Sequence, residues 1–127
     1  MIDKKSINTD HAPAAIGPYS QGIVVGNLLF TSGQLPIDSK TGTLHRGPIE
    51  EQANLVLQNL AAIAVAAGTT LEKTVKTTVY LSDIKTFAQV NEVYKRHFSA
   101  PFPARSAFQV AALPLGADIE VEAVISL

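Results

Sequence analysis

PFPARSAFQVAALPLGADIEVEA, running from Pro101 to Ala123, is the stretch on which the fold turns. Two prolines lead into a strand, Pro114 to Gly116 supply a turn, and a second strand follows. Both strands alternate strictly and are rich in β-branched and aromatic residues. Ser106, Phe108, Val110 and Ala112 fall on one face of the first strand, and Arg105, Ala107, Gln109 and Ala111 on the other. In the second, Ile119, Val121 and Ala123 oppose Asp118, Glu120 and Glu122. Pairing the two as a hairpin makes their apolar faces coincide, because a slip of one residue turns a strand inside out. Arg105, Gln109, Glu120 and Glu122 are then expected together on the second face. Charged outer faces of antiparallel sheets are ordinarily just solvated, so a functional meaning has to come from the rest of the chain.

Upstream, Lys4 to Asn8 reads as a short first strand. His11 to Gly22 is dense in Pro and Gly and reads as an ordered loop. Residues 21–25 and 28–32 flank Gly26-Asn27, a two-residue hairpin signal. A helix is predicted from Pro48 to Gly68, with Glu50 and Glu51 in its first turn. Its apolar stripe is Ile49, Ala53, Val56, Leu57, Leu60, Ile63, Ala64 and Ala67, which marks a helix lying on a sheet. After a turn at 69–73 comes a strand with Val75, Val79 and Leu81 on its core face. Ser82 or Asp83 caps a second helix through about His97, burying Ile84, Phe87, Val90, Tyr94 and Phe98. Asn91 lies along that stripe, where an amide is either satisfied internally or in contact with a ligand.

The order β-β-β-α-β-α-β-β predicts a single α+β domain over residues 1–127, a two-layer fold with a mixed sheet. Right-handed crossovers place both helices on one sheet face. The bare face would then carry Thr78, Tyr80, Ala107, Ala111 and Val124 beside the charged residues, too apolar a surface to be fully wetted. Oligomerisation through that face is expected, and it would place Arg105 and Glu120 near a subunit interface, where clefts form readily.

Composition narrows the chemistry. The 127 residues are 46% hydrophobic and 17% charged, with a net charge of −1. The scattered cations give no electrostatic footprint for nucleic acid, and no basic amphipathic segment addresses a membrane surface. There is no cysteine, which removes disulfides and thiolate catalysis. MIDKKSINTDH has no apolar core of a signal peptide, and the apolar run at 60–67 is far short of the roughly 20 residues of a membrane span, so a cytoplasmic protein is expected. GxSxG, P-loop, Rossmann glycine and HExxH patterns are missing. His11, His45 and His97 have no metal-ligand spacing, so no metal is expected.

The closing PARSAFQVAALP and IEVEA resemble the signature of the RidA (YjgF) family of enamine/imine deaminases. APAAIGPYSQG at 12–22, FTSGQLPID at 30–38 and VNEVYKRHF at 90–98 agree with it, in register along essentially the whole chain. The resemblance implies a chorismate-mutase-like α+β fold and a homotrimer with clefts between subunits. It implies hydrolysis of 2-imino acids, such as 2-iminopropanoate (2-aminoacrylate) and 2-iminobutanoate, to 2-oxo acids and ammonia, which protects PLP enzymes. No cofactor is implied. By position, Arg105 would bind the substrate carboxylate and Glu120 would hold or polarise the attacking water. Tyr19, Ser32, Gly33 and Asn91 would line the cleft, and the Ala107 backbone would touch the ligand. Many relatives carry cysteine at the Ala107 position, so thiol chemistry is excluded here.

These residue types suit that chemistry. Arginine's planar fork holds a carboxylate bidentately, and a nearby carboxylate can relay a proton from water to the imine nitrogen. A carboxylate-binding or sensing protein without turnover is the competing class. A ribonuclease or translation inhibitor, as attributed to some relatives, is disfavoured by the neutral charge and by the lack of an aromatic–basic platform.

Overall fold

A computed structural model describes residues 3–127, so Met1 and Ile2 of the expected domain lie outside the described residues. Its strands are β1 (Lys4–Ile7), β2 (Gly22–Val25), β3 (Leu28–Thr31), β4 (Thr74–Leu81), β5 (Ala104–Gln109) and β6 (Ile119–Ser126). The helices are α1 (Ile49–Ala66) and α2 (Phe87–His97). The helical periodicity of residues 49–67 becomes α1, whose buried side includes Ala53, Val56, Leu57, Leu60, Ile63 and Ala64. Leu60 is fully buried, so truncating it to alanine costs about 2–5 kcal/mol. Gly26 takes φ +60°, the left-handed value that a two-residue hairpin between β2 and β3 requires. Asp83 accepts the Lys85 N–H at 2.9 Å and starts the single turn that leads into α2.

Six strands form one sheet in the order β1-β2-β3-β6-β4-β5, antiparallel except for the β4–β5 pair. Both helices pack on one face, so the expected two-layer α+β architecture is what the chain adopts.

The hairpin expected from 101–123 does not form. β6 enters between β3 and β4, and β5 runs parallel to β4 on its other side. The turn at Pro114–Gly116 carries the chain around the end of β4: Val110 N–H donates to Leu81 O on one flank, and Ser82 N–H to Asp118 O on the other. Burial explains the choice. Ile119, Val121, Ala123 and Ile125 are all buried, and only a central strand can hide every second residue so fully. β5, with Arg105, Ser106 and Gln109 exposed, fits an edge.

The new pairing also inverts β5. Arg105 lies opposite Thr77, Ala107 opposite Val79 and Gln109 opposite Leu81, all on the helix side. Ser106 and Phe108 join Thr78 and Tyr80 on the bare face, and Phe108 is 46% exposed rather than core. Two smaller expectations also fail. A bulge between Thr74 and Lys76 throws Val75 outward and leaves Thr77 in the core, and Ile84, in the turn before α2, stays 41% exposed while Val93 is buried.

Candidate active site

Arg105 emerges from β5 beneath α2. Phe87, Asn91 and Tyr94 share one side of that helix, and all three hold the arginine. Its guanidinium carbon lies 4.8 Å from the Phe87 ring centroid and 4.8 Å from that of Tyr94, and Nη1 donates to Asn91 Oδ1 at 2.8 Å. Each cation–π contact contributes about 0.5–2 kcal/mol. Tyr94 is itself fixed, its hydroxyl 2.9 Å from Thr77 Oγ1 and its ring centroid 4.4 Å from that of Phe98. Burial pushes its phenol above the ordinary value, so it stays neutral beside the cation. Among the described residues the ion pairs are His45–Glu51 and Lys95–Glu92, and neither involves Arg105. Arg105 lines a cleft of about 560 Å³, with Lys95, Phe102 and Pro103 also on its walls. A guanidinium held in this way is preoriented, and its planar fork is chemically suited to an anion.

Glu120 is on the opposite side of the sheet, across from Tyr80 on β4. Beyond Phe30↔Val124, the next pair along these two segments is Gln34↔Val121, so four steps on one oppose three on the other. This bulge swings Ser32 and Gly33 around the Glu120 side chain. A Cβ on Gly33 would stand 2.8 Å from the Glu120 carboxyl carbon, so only glycine permits the close approach. Burial, and secondarily the charge of Glu122, raises the Glu120 carboxyl above its ordinary value. Tyr19, Ser32, Gly33 and Glu120 line one cleft of about 450 Å³, whose far wall includes Ile37 and Leu115.

Buried amides shape this second cleft. Gln21 accepts Thr9 N–H at 2.7 Å and donates to Thr9 O at 3.0 Å, Ala12 O at 3.3 Å and Pro13 O at 2.8 Å, which orders the loop carrying Tyr19. Asn59 on α1 donates to Leu35 O at 3.2 Å and Ile37 O at 3.0 Å. Ser32 donates its hydroxyl proton to Ser20 O, leaving its lone pairs toward the cleft.

The seven expected residues therefore divide. Tyr19, Ser32, Gly33 and Glu120 come together on the bare side, and Arg105 and Asn91 on the helix side. Arg105 and Glu120 do not share a face, because β5 pairs with β4 and not with β6. Ala107 lines neither cleft. Its side chain packs partly against the core, but β5 is an edge strand. Val110 N–H bonds to β4, and stepping back along the alternating backbone places Ala107 N–H on the unpaired edge. Phe87 and Tyr94 as a cradle, and Gln21 and Asn59 as loop clamps, were not singled out in the sequence. Phe87 and Tyr94 read only as members of the α2 apolar stripe, and Gln21 and Asn59 only as amides near apolar residues. Among the described residues no three His, Asp or Glu side chains are grouped to hold a metal.

A family model described as Endoribonuclease L-PSP matches residues 9–127. The RutC family protein y4sK of Sinorhizobium fredii is 60% identical over 121 residues, covering 95% of this chain and 96% of its own. Human 2-iminobutanoate/2-iminopropanoate deaminase is 49% identical over 121 residues, 95% of this chain and 88% of its own. The crystal structure of E. coli TdcF with bound serine superposes with a TM-score of 0.91 at 43% identity, covering 97% of this chain and 98% of that one. Since the family model spans β2 to β6, both helices and both clefts, and relatives agree along nearly the whole length, this chain belongs to the L-PSP (YjgF/RidA) family.

Proposed function

We propose that this protein hydrolyses small 2-imino acids to 2-oxo acids and ammonia, and that it does so as a homotrimer whose sites lie between subunits. The observation that carries this reading is the separation of Arg105 from Glu120 by the sheet. One copy presents a carboxylate clamp on one side and a water-handling carboxylate on the other. A site using both needs the Arg105 cleft of one copy to meet the Glu120 cleft of the next. The bare face supports association, since it exposes Phe30 and Phe108 beside Tyr80 and Val124, which is costly in water.

In such a site the Arg105 fork takes the substrate carboxylate and fixes the imine carbon. Glu120, with its raised proton affinity, holds the attacking water and accepts its proton as the C–O bond forms. That proton then passes to nitrogen to give the carbinolamine. Glu120 next takes the carbinolamine hydroxyl proton and delivers it to the amine as the C–N bond breaks, so that ammonia leaves and the C=O of the 2-oxo acid forms. The hydroxyls of Tyr19 and Ser32, which line the Glu120 cleft, can orient water in this reading, and Ala107 N–H is a donor at the β5 edge. This is balanced hydrolysis: imine and water give oxo acid and ammonia. RNA cleavage, the activity in the family model's description, finds little support in a net charge of −1.

The test generates 2-aminoacrylate with a serine dehydratase and follows loss of the imine. Wild type should accelerate that loss, and Arg105→Ala should abolish the acceleration. Equal rates with both proteins, together with serine or 2-oxobutanoate binding, would instead favour a carboxylate-binding protein without turnover.

A further inference from the structure

β6 places Glu120 and Glu122 two residues apart on the same face, so their backbones are only about 7 Å apart. Two carboxylates so close are costly unless one is neutral or each has its own partner. Their surroundings differ. Glu120 leans against Gly33 in the cleft, whereas Glu122 accepts the Tyr80 hydroxyl at 2.7 Å. Tyr80 stands opposite Glu120 in the β4–β6 register and reaches diagonally to Glu122. Its ring is fixed edge-on to Phe108 with centroids 5.3 Å apart. The one lysine of this face near them, Lys76, donates to Ser106 at 3.1 Å. Among the described residues neither carboxylate has a salt-bridge partner.

We infer that Glu122, held by Tyr80, is a positioning residue: it keeps a fixed negative charge beside Glu120 and so decides which of the two carboxylates carries the catalytic proton. This rests on the reading of Glu120 as the water-handling group. The hydrogen bond to Glu122, and then burial, pushes the Tyr80 phenol up to about 12, so it remains a donor to Glu122 throughout the working range. Glu120, which has no such donor, is left as the member that gains and loses the proton. Paired titratable groups pushed apart by their environments are how one site holds distinct acid and base roles.

The groups facing Glu120 are few. Its own strand brings Glu122 and β4 brings Tyr80; the 31–34 segment brings nothing titratable, and the loop brings Tyr19. In the proposed trimer, Arg105 from a neighbouring copy joins them. Bound substrate pairs that arginine with its own carboxylate, which leaves Glu122 as the uncompensated charge in the complex. The effect therefore belongs in the pH profile of kcat.

Two readouts test this. The acidic limb of kcat against pH should move down by roughly one unit in Glu122→Gln, the scale of one like charge at this distance. Glutamine keeps an oxygen for Tyr80, and Glu122→Asp, which keeps the charge, should restore much of the limb. Tyr80→Phe, a milder change, should move it the same way by less. In parallel, carbon NMR titration of Glu120 should show its midpoint falling in Glu122→Gln whether or not the protein turns over substrate. An active wild type whose limb and midpoint both stay put in Glu122→Gln overturns the inference and leaves the deaminase standing. An inactive wild type whose midpoint still falls overturns the deaminase reading and upholds the coupling.

Discussion

The two clefts are built by different means. The helix-side cleft is made of regular structure: Arg105 comes from a strand, and Phe87, Asn91 and Tyr94 come from successive turns of one helix braced on the core. The bare-side cleft is made largely of loops, and Tyr19, Ser32 and Gly33 are where they are because Gln21 and Asn59 satisfy loop carbonyls from inside. A fixed charge is best held by a rigid lattice of rings, while the proton exchange proposed for Glu120 suits a site where loops admit water. Damage to the first cleft should weaken binding and leave the fold intact. Damage to the second should disturb placement, stability or both.

Gly33→Ala should have the largest effect. Its methyl group displaces the Glu120 carboxylate, and a misplacement of that order costs about 10²-fold in kcat, read by the imine-loss assay with folding checked by circular dichroism. Gln21→Ala comes next. It removes two amide N–H donors shared among three loop carbonyls, and one accepted bond, so thermal or urea unfolding should show a loss of about 1–3 kcal/mol, with activity falling as Tyr19 loosens. Tyr94 separates ring from hydroxyl. Tyr94→Leu should raise KM several-fold by removing one face of the Arg105 cradle. Tyr94→Phe should leave KM nearly unchanged and cost only about 0.5–1.5 kcal/mol of stability, the bond to Thr77.

The smallest effect concerns the brace between the helices. His97 on α2 lies 2.8 Å from Asn54 Oδ1 on α1. Burial, and then the charge of Arg96, lowers its pKa below 6.5. Protonation is thus harder in the folded state. The contribution of His97 is present above the ordinary histidine value and is lost as pH falls through the lower, folded value. Unfolding followed from neutral to mildly acidic pH should show this slope in wild type and not in His97→Asn.

Much of the fold could be read from periodicity. The α1 stripe, the Gly26-Asn27 turn and the order of elements are local patterns, and local patterns survive folding. The failures that moved the site were matters of pairing. Nothing local tells a strand whether its neighbour is the next in sequence, so 104–123 read as a hairpin although β6 belongs between β3 and β4. That error inverted β5 and placed Arg105 beside Glu120. The proposal that both serve one site between copies does not need that hairpin. It rests instead on the observed pairing, which puts them on opposite faces of one copy. Glu120 and Glu122 likewise read alike from polarity alone, and only the family resemblance chose between them; Gly33 and Tyr80 now give the two different surroundings.

The meeting of the two clefts between copies is tested most directly by mixing two inactive variants. Arg105→Ala keeps an intact Glu120 cleft, and Glu120→Gln keeps an intact Arg105 cleft. Co-expressed in equal amounts, they should assemble at random, and about a quarter of the interfaces in a cyclic trimer should then join one good Arg105 cleft to one good Glu120 cleft. Imine hydrolysis should return to about a quarter of the wild-type rate. Mixed trimers that form and stay inactive would contradict a site shared between subunits.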